Sequence, residues 1–187
     1  ADDRWERLPD LTSVRHRFAM VALEGKLFAI GGFGIRDDGE HANVAHVDVF
    51  DPLTATWSRA ADMAVPRHGH AAVVHLGRIV VVGGYGGPDG EHDILDSVEV
   101  YDPVADTWSP GPPLNTARGF LGCAASRGRV WSVGGRLDGC PVESWTPGED
   151  AWLVHEPLAL TLQRFAMVGI DDHLVTLGGE DERSAVH

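Results

Sequence analysis

The chain has 187 residues, enough for one domain with a real core, and its 28 acidic against 15 basic side chains give a formal charge of −13. The Lys and Arg residues form no run, so the basic stripe that phosphate binding requires is missing and nucleic acid is excluded as the main partner. No stretch approaches the roughly 18 consecutive apolar residues of a membrane span, and the opening ADDRWERLPD has neither the basic start nor the apolar run of a secretory signal. Two cysteines, Cys123 and Cys140, make neither a disulfide framework nor a paired metal-ligand spacing, which fits a reducing compartment and sets the cytoplasm as the expected location.

Taken in order, the elements repeat. A Gly-Gly pair ends an apolar run four times, at Gly31-Gly32, Gly83-Gly84, Gly134-Gly135 and Gly178-Gly179, and each time a Trp stands 26 places before the first glycine: Trp5, Trp57, Trp108 and Trp152. A period near 50 residues with such fixed internal spacing is the signature of a repeat architecture. Six places before each glycine pair stands a turn residue, Gly25, Gly77, Gly128 or Asp172, so each unit reads as strand, tight turn, strand. A polar loop follows the glycines, then a third strand (47–50, 97–101, 142–145) ending in Asp51-Pro52, Asp102-Pro103 or Thr146-Pro147, and then a fourth that carries the Trp. Asp51 and Asp102 are expected to hold the turn between these last two strands by side-chain to backbone hydrogen bonds.

Four antiparallel strands per period make a propeller blade, so the predicted fold is an all-β propeller. Residues 1–10 are predicted to form the last strand of one blade, 15–60, 67–110 and 118–154 three full blades, and 162–187 a partial blade whose third strand begins near Ser184. One blade is thus split between the two ends. Three arrangements would satisfy its edges: a segment of a longer propeller, a small ring closed by the first strand, or a ring completed by a second chain. The four tryptophans are expected to bury against neighbouring blades, and the glycine pairs to serve close backbone packing rather than phosphate binding.

Paired glycines, an aromatic before Asp-Pro and a following Trp, as in Gly83-Gly84, Tyr101-Asp102-Pro103 and Trp108, resemble the kelch motif, and the likeness extends over nearly the whole chain. In the third copy Trp145-Thr146-Pro147 departs from the pattern. The resemblance is to the kelch domains of BTB-kelch ubiquitin-ligase adaptors in particular. It implies a protein-recognition module without a cofactor, whose partner is a client protein or an acidic peptide.

Candidate binding residues come from two repeating positions. Arg15, Arg67 and Arg118 lie 16 places before a glycine pair, and Arg17 and Arg164 lie 14 before one. By the resemblance, such arginines ring the mouth of the central channel, where a planar guanidinium suits a carboxylate or a phosphorylated segment. The competing expectation is that they pair with acids of adjacent loops. Phe33 and Tyr85, with Arg136 at the matching place in the third copy, would flank this ring as anchors, and His70 joins the same set. The length of the repeat varies only after the glycines, and loops of that kind on a rigid scaffold carry binding.

A metal site is not expected from His68 and His70, or from Glu91-His92-Asp93, because no third ligand is fixed by spacing. The alternatives to a recognition module are a kelch-propeller enzyme, either a metal-dependent oxidase or a sugar isomerase, and a cytoskeletal scaffold that binds through its outer surface.

Overall fold

The strand leading into each glycine pair is apolar at consecutive positions, as in Ile79-Val80-Val81-Val82. Because side chains alternate across a strand, such a sequence buries both faces of its sheet and needs a neighbour on each side. The computed structural model, which describes residues 5–35, 39–87, 93–135 and 140–180, stacks its sheets accordingly. Blade I comprises strands Ala19–Leu23, Lys26–Ile30, Val47–Asp51 and Thr56–Arg59; blade II comprises Ala71–His75, Arg78–Val82, Val98–Asp102 and Thr107–Gly111; blade III comprises Gly122–Ser126, Arg129–Val133, Cys140–Trp145 and Leu153–Leu158. Each is a four-stranded antiparallel meander in chain order. A two-stranded hairpin, Ala166–Ile170 with His173–Leu177, begins a further unit. Among the described residues there is no helix.

The core lies between blades. Ile79 and Val81 pack with Phe28, Ile30, Val47 and Val49 of blade I, whereas Val80 and Val82 pack with Leu121, Cys123, Val130 and Trp145 of blade III. The first strands of successive blades touch one another, which places them innermost, around the propeller axis. At the same end of the molecule, two small sheets extend blades I and II: Arg15–His16 with Phe33–Ile35 and His41–Asn43, and Arg67–His68 with Tyr85–Gly86 and Asp93–Ile94.

The glycine pairs knit these units together. The first glycine donates its N–H within its own blade (Gly31 to the His46 carbonyl, Gly83 to that of Ser97), and the second donates to the next blade: Gly32 to Arg67, Gly84 to Arg118 and Gly135 to Leu162. Asp51 and Asp102 accept from the N–H of Leu53 at 2.9 Å and of Val104 at 3.0 Å, as the Asp-Pro turns require, and these bonds hold both carboxyls below the usual range.

The tryptophans follow two rules. Each rests on the aromatic of the strand beside it, Phe50 with Trp57, Tyr101 with Trp108 and Trp145 with Trp152, at centroid distances of 5.2, 5.1 and 6.0 Å. Each also donates its indole N–H to the segment before its own blade: Trp57 to the Pro9 carbonyl, Trp108 to Ala61 and Trp152 to Pro112. Replacing Trp108 by Phe keeps the ring contact and removes that hydrogen bond, so a loss of about 1 kcal/mol is expected in urea unfolding.

Residues 5–10 depart from expectation. Residues 5–14 form no strand, and Trp5 is fully exposed. The segment lies along blade I instead, through Pro9 and through the Thr12 hydroxyl, which donates to Asp48. Among the described residues Trp5 meets no third-strand aromatic of the kind that holds the other three. Closure of a small ring by this segment therefore does not occur among the described residues. The third strand expected near Ser184 lies outside them.

Candidate functional site

The three arginines 16 places before the glycines are structural. Arg15, Arg67 and Arg118 are buried, the last two completely. Each reaches an acid at the second or a nearby position of the third strand of its own blade: Arg15 to Asp48 at 2.6 Å, Arg67 to Glu99 at 2.9 Å, and Arg118 to Glu143. Further N–H groups go mostly to backbone, with Arg15 donating to the Ala29 carbonyl, Arg67 to those of Gly83 and Ser97 and Arg118 to that of Pro141, while the Ser13 and Ser97 hydroxyls accept from Arg15 and Arg67. Burial pulls Arg67 and Arg118 below the ordinary guanidinium range, and Glu99 and Glu143 oppose it. The acids in turn accept from the chain entering the blade, Glu99 from the Ala64 and Val65 N–H groups and Glu143 from Asn115. A guanidinium enclosed in this way cannot grip an external carboxylate. The expectation that these three residues contact a partner is therefore corrected: they pair within their own blades.

The position two residues later faces the other way. Arg17, Gly69, Phe120 and Arg164 are equivalent in the repeat, and all have left-handed backbone, with φ between 56° and 59°. Their peptide groups link blade to blade: the Gly69 N–H donates to the Arg17 carbonyl at 2.9 Å, Phe120 to Gly69 at 2.6 Å and Arg164 to Phe120 at 2.9 Å. This arc runs round the axis at the mouth and turns three side chains off it. Arg17 and Arg164 are exposed, and their guanidinium groups lie over the Phe120 ring, 5.5 and 4.8 Å from its centroid. Arg164 also meets Glu180 at 3.2 Å in an exposed pair; among the described residues no carboxylate pairs with Arg17.

From Phe120 an unbroken set of rings crosses the mouth to blade I. Tyr85 lies 5.3 Å from Phe120, His68 stacks on Tyr85 at 5.5 Å, Phe33 meets His68 edge-on at 5.6 Å, and His16 meets Phe33 at 5.7 Å. His68 is fixed by a 2.6 Å hydrogen bond between its Nδ1 and Asn43. The Tyr85 hydroxyl is buried without a hydrogen-bond partner among the described residues. Arg17, Arg164 and this aromatic set line a cavity of about 490 Å³, within the range of pockets that seat a small ligand or an inserted side chain. Burial, with Arg67 and His68 nearby, pushes His70 down to about 3, so its ring is neutral at pH 7.

Of the candidates from sequence, the structure brings Arg17, Arg164, Phe33 and Tyr85 together at the mouth and places His70 just behind it. Arg136 lies outside the described residues. Sequence reasoning missed Phe120, His16 and His68. Phe120 was within reach, because it occupies the repeat position of Arg17 and Arg164, but a search for recurring arginine passed over it. Among the described residues no three His, Cys, Asp or Glu side chains gather into a possible metal site.

The Kelch motif family profile matches residues 15–64 and 66–115, more than half of the chain. Beta-scruin of Limulus polyphemus is 33% identical over 72% of the chain and 15% of its own length. Kelch-like protein 35 of Mus musculus is 30% identical over 95% of the chain and 29% of its own length. Kelch-like protein 34 of Homo sapiens is 30% identical over 94% of the chain and 27% of its own length. The chain thus spans less than a third of each of these relatives. Among solved structures, that of YjhT superposes with a TM-score of 0.81 at 17% identity, covering 96% of the chain and 63% of that protein, a likeness of fold. The repeat, the blades and the motif match agree, and the chain belongs to the kelch-repeat family.

Proposed function

We propose that this propeller is a protein-interaction module that takes an acidic client segment at the channel mouth, between Arg17 and Arg164 and across the aromatic set from Phe120 to His16. The observation that carries this reading is the placement of two exposed guanidinium groups over one phenyl ring in a protein of formal charge −13. An isolated cationic, aromatic-lined recess on an acidic surface attracts carboxylates to one place and supplies rigid apolar area beside them. Kinship with kelch-like proteins and scruin supports an interaction or scaffold role in general. Service as the client receptor of a cullin-type ubiquitin ligase is the finer form of the proposal, and it rests on the family resemblance. No observation favours an enzymatic reading over this one.

The test is fluorescence anisotropy with a labelled Glu-rich peptide. Replacing both Arg17 and Arg164 by Ala is expected to weaken binding by about tenfold, because exposed charge pairs contribute up to about 1 kcal/mol each, and to slow association. Both side chains are exposed, so the cost to stability is limited to two cation–π contacts of about 0.5–1 kcal/mol each and the exposed Arg164–Glu180 pair. Unchanged affinity in the double variant would reject the mouth as the site.

A further inference from the structure

A groove of about 470 Å³ runs along the seam between blades II and III and shares no residue with the mouth. Val80, Val100, Ser109 and Pro112 wall it on the side of blade II, and Trp145 with the turn at 147–150 on the side of blade III. The seam between blades I and II, one repeat earlier, is closed by two devices. Phe28 occupies the repeat position of Val80, and its ring meets Tyr101 at 5.8 Å. Asp106 completes the closure, accepting from the Tyr101 hydroxyl and from the Ala61 N–H, each at 2.8 Å.

Both devices are altered between blades II and III. Valine replaces the Phe28 ring, and Trp145, in the place of Tyr101, sends its indole N–H to the Glu149 carbonyl at 2.9 Å. Pro112 takes the place of Ala61 and has no N–H to give. Asp150 stands two places before its Trp, as Asp106 does, but has neither of the donors that hold Asp106. Glu149 and Asp150 are exposed, and among the described residues neither carboxylate has a hydrogen-bond or ion-pair partner. Arg78, which also lines the groove, is already paired with Asp102 at 2.9 Å, and the Nε2 of His75 is buried.

We propose that this groove docks an arginine side chain presented by a protein partner, with Asp150 and Glu149 receiving the guanidinium. Pro110, Pro112 and Pro147 line the groove without contributing a backbone N–H, so its surface is rich in acceptors and poor in donors. The occupant that complements it brings N–H donors and positive charge together. A guanidinium does so, with five donors in a planar fork that matches a carboxylate. Its methylene stem packs along Val100 and the proline rings while the charged head stays at the exposed acids. The groove and the mouth thus select opposite charges at separate places, and either can fail without the other.

The experiment uses the 187-residue chain labelled with ¹⁵N-tryptophan, at physiological ionic strength so that diffuse attraction to an acidic protein is screened. The probe is the peptide acetyl-Gly-Ala-Arg-Ala-Gly-amide, and its control carries citrulline, the uncharged near-isostere, in place of arginine. The Trp145 and Trp152 indoles report on the groove, because their N–H groups bond the Glu149 and Pro112 carbonyls in its walls. The arginine peptide is expected to shift both indole signals, and the citrulline peptide neither. Glu149→Gln with Asp150→Asn is expected to weaken the arginine peptide by about tenfold. Removing the same charge elsewhere, by Glu6→Gln with Asp10→Asn, should leave it within about twofold. Ser109→Phe, which places a ring in the groove from an exposed position, should abolish the shifts without lowering the melting temperature appreciably. The proposal is overturned if the arginine peptide leaves both indoles unmoved, if citrulline serves equally well, or if the two charge-removing pairs weaken binding alike.

Discussion

Replacing Glu99 by Ala is expected to cost about 3–5 kcal/mol of stability, seen as a large fall in the urea midpoint, because it strands a buried guanidinium. Arg67 has no exposed surface, and among the described residues Glu99 is its one carboxylate partner. The same carboxylate caps the N–H groups of Ala64 and Val65 at 2.7 and 3.2 Å, so truncation orphans backbone donors as well as a charge. Arg67 would keep its bonds to the carbonyls of Gly83 and Ser97, which stabilise a cation but do not neutralise it. Glu143→Ala should behave alike, since Arg118 is as deeply buried and Glu143 also holds the Asn115 N–H. The contrast is Asp62→Ala. It breaks a 3.0 Å pair with Arg59 whose side chains are 40% and 46% exposed, and it should change stability by less than about 1 kcal/mol. Comparable effects from the buried and the exposed substitutions would contradict the structural role assigned to the buried acids.

Gly84→Ala is expected to cost a further large sum, about 3–5 kcal/mol, from two sources. Its φ of 104° lies beyond the left-handed region that L-residues tolerate, a strain of about 1–3 kcal/mol. A Cβ there would also stand 2.8 Å from the His68 carbonyl oxygen and from the His70 Cβ, and forcing atoms into a packed site costs about 1–3 kcal/mol more. Gly84 is the residue whose N–H reaches the Arg118 carbonyl of blade III, so the damage falls on the contact between blades. Gly77→Ala is the control: it has positive φ but nothing within 4 Å of its Cβ, and should lose only the conformational share. Thermal or urea unfolding of the pair separates strain from steric exclusion.

Periodicity made the architecture legible. Four glycine pairs at constant distance from a Trp define the unit, and consecutive apolar residues such as Ile79 to Val82 say that both faces of its sheet are covered. The site was legible only in part, for a reason visible in the arginines. Arg15, Arg67 and Arg118 recur because every blade needs the same buried pair, and recurrence is the mark of architecture. The third-strand acids that complete these pairs, Asp48, Glu99 and Glu143, stand in the sequence but announce no partner, since pairing across about 25–33 residues depends on strand register. The mouth position recurs less: Arg17, Gly69, Phe120 and Arg164 share a backbone conformation but carry arginine in only two of four units. Of the four repeat tryptophans only Trp152 is buried, Trp57 and Trp108 are half-buried on their third-strand aromatics, and Trp5 meets no such aromatic among the described residues.

A scaffold that binds through the outer strands and a receptor that binds through the mouth both satisfy kinship with kelch-like proteins and scruin. The measurement that separates them is amide chemical-shift mapping of the ¹⁵N-labelled chain with the Glu-rich peptide. The account predicts shifts concentrated at residues 16–17, 33, 68–69, 85, 120 and 164, with the fourth strands Thr56–Arg59, Thr107–Gly111 and Leu153–Leu158 unaffected. Shifts confined to those outer strands, with the mouth silent, would contradict it.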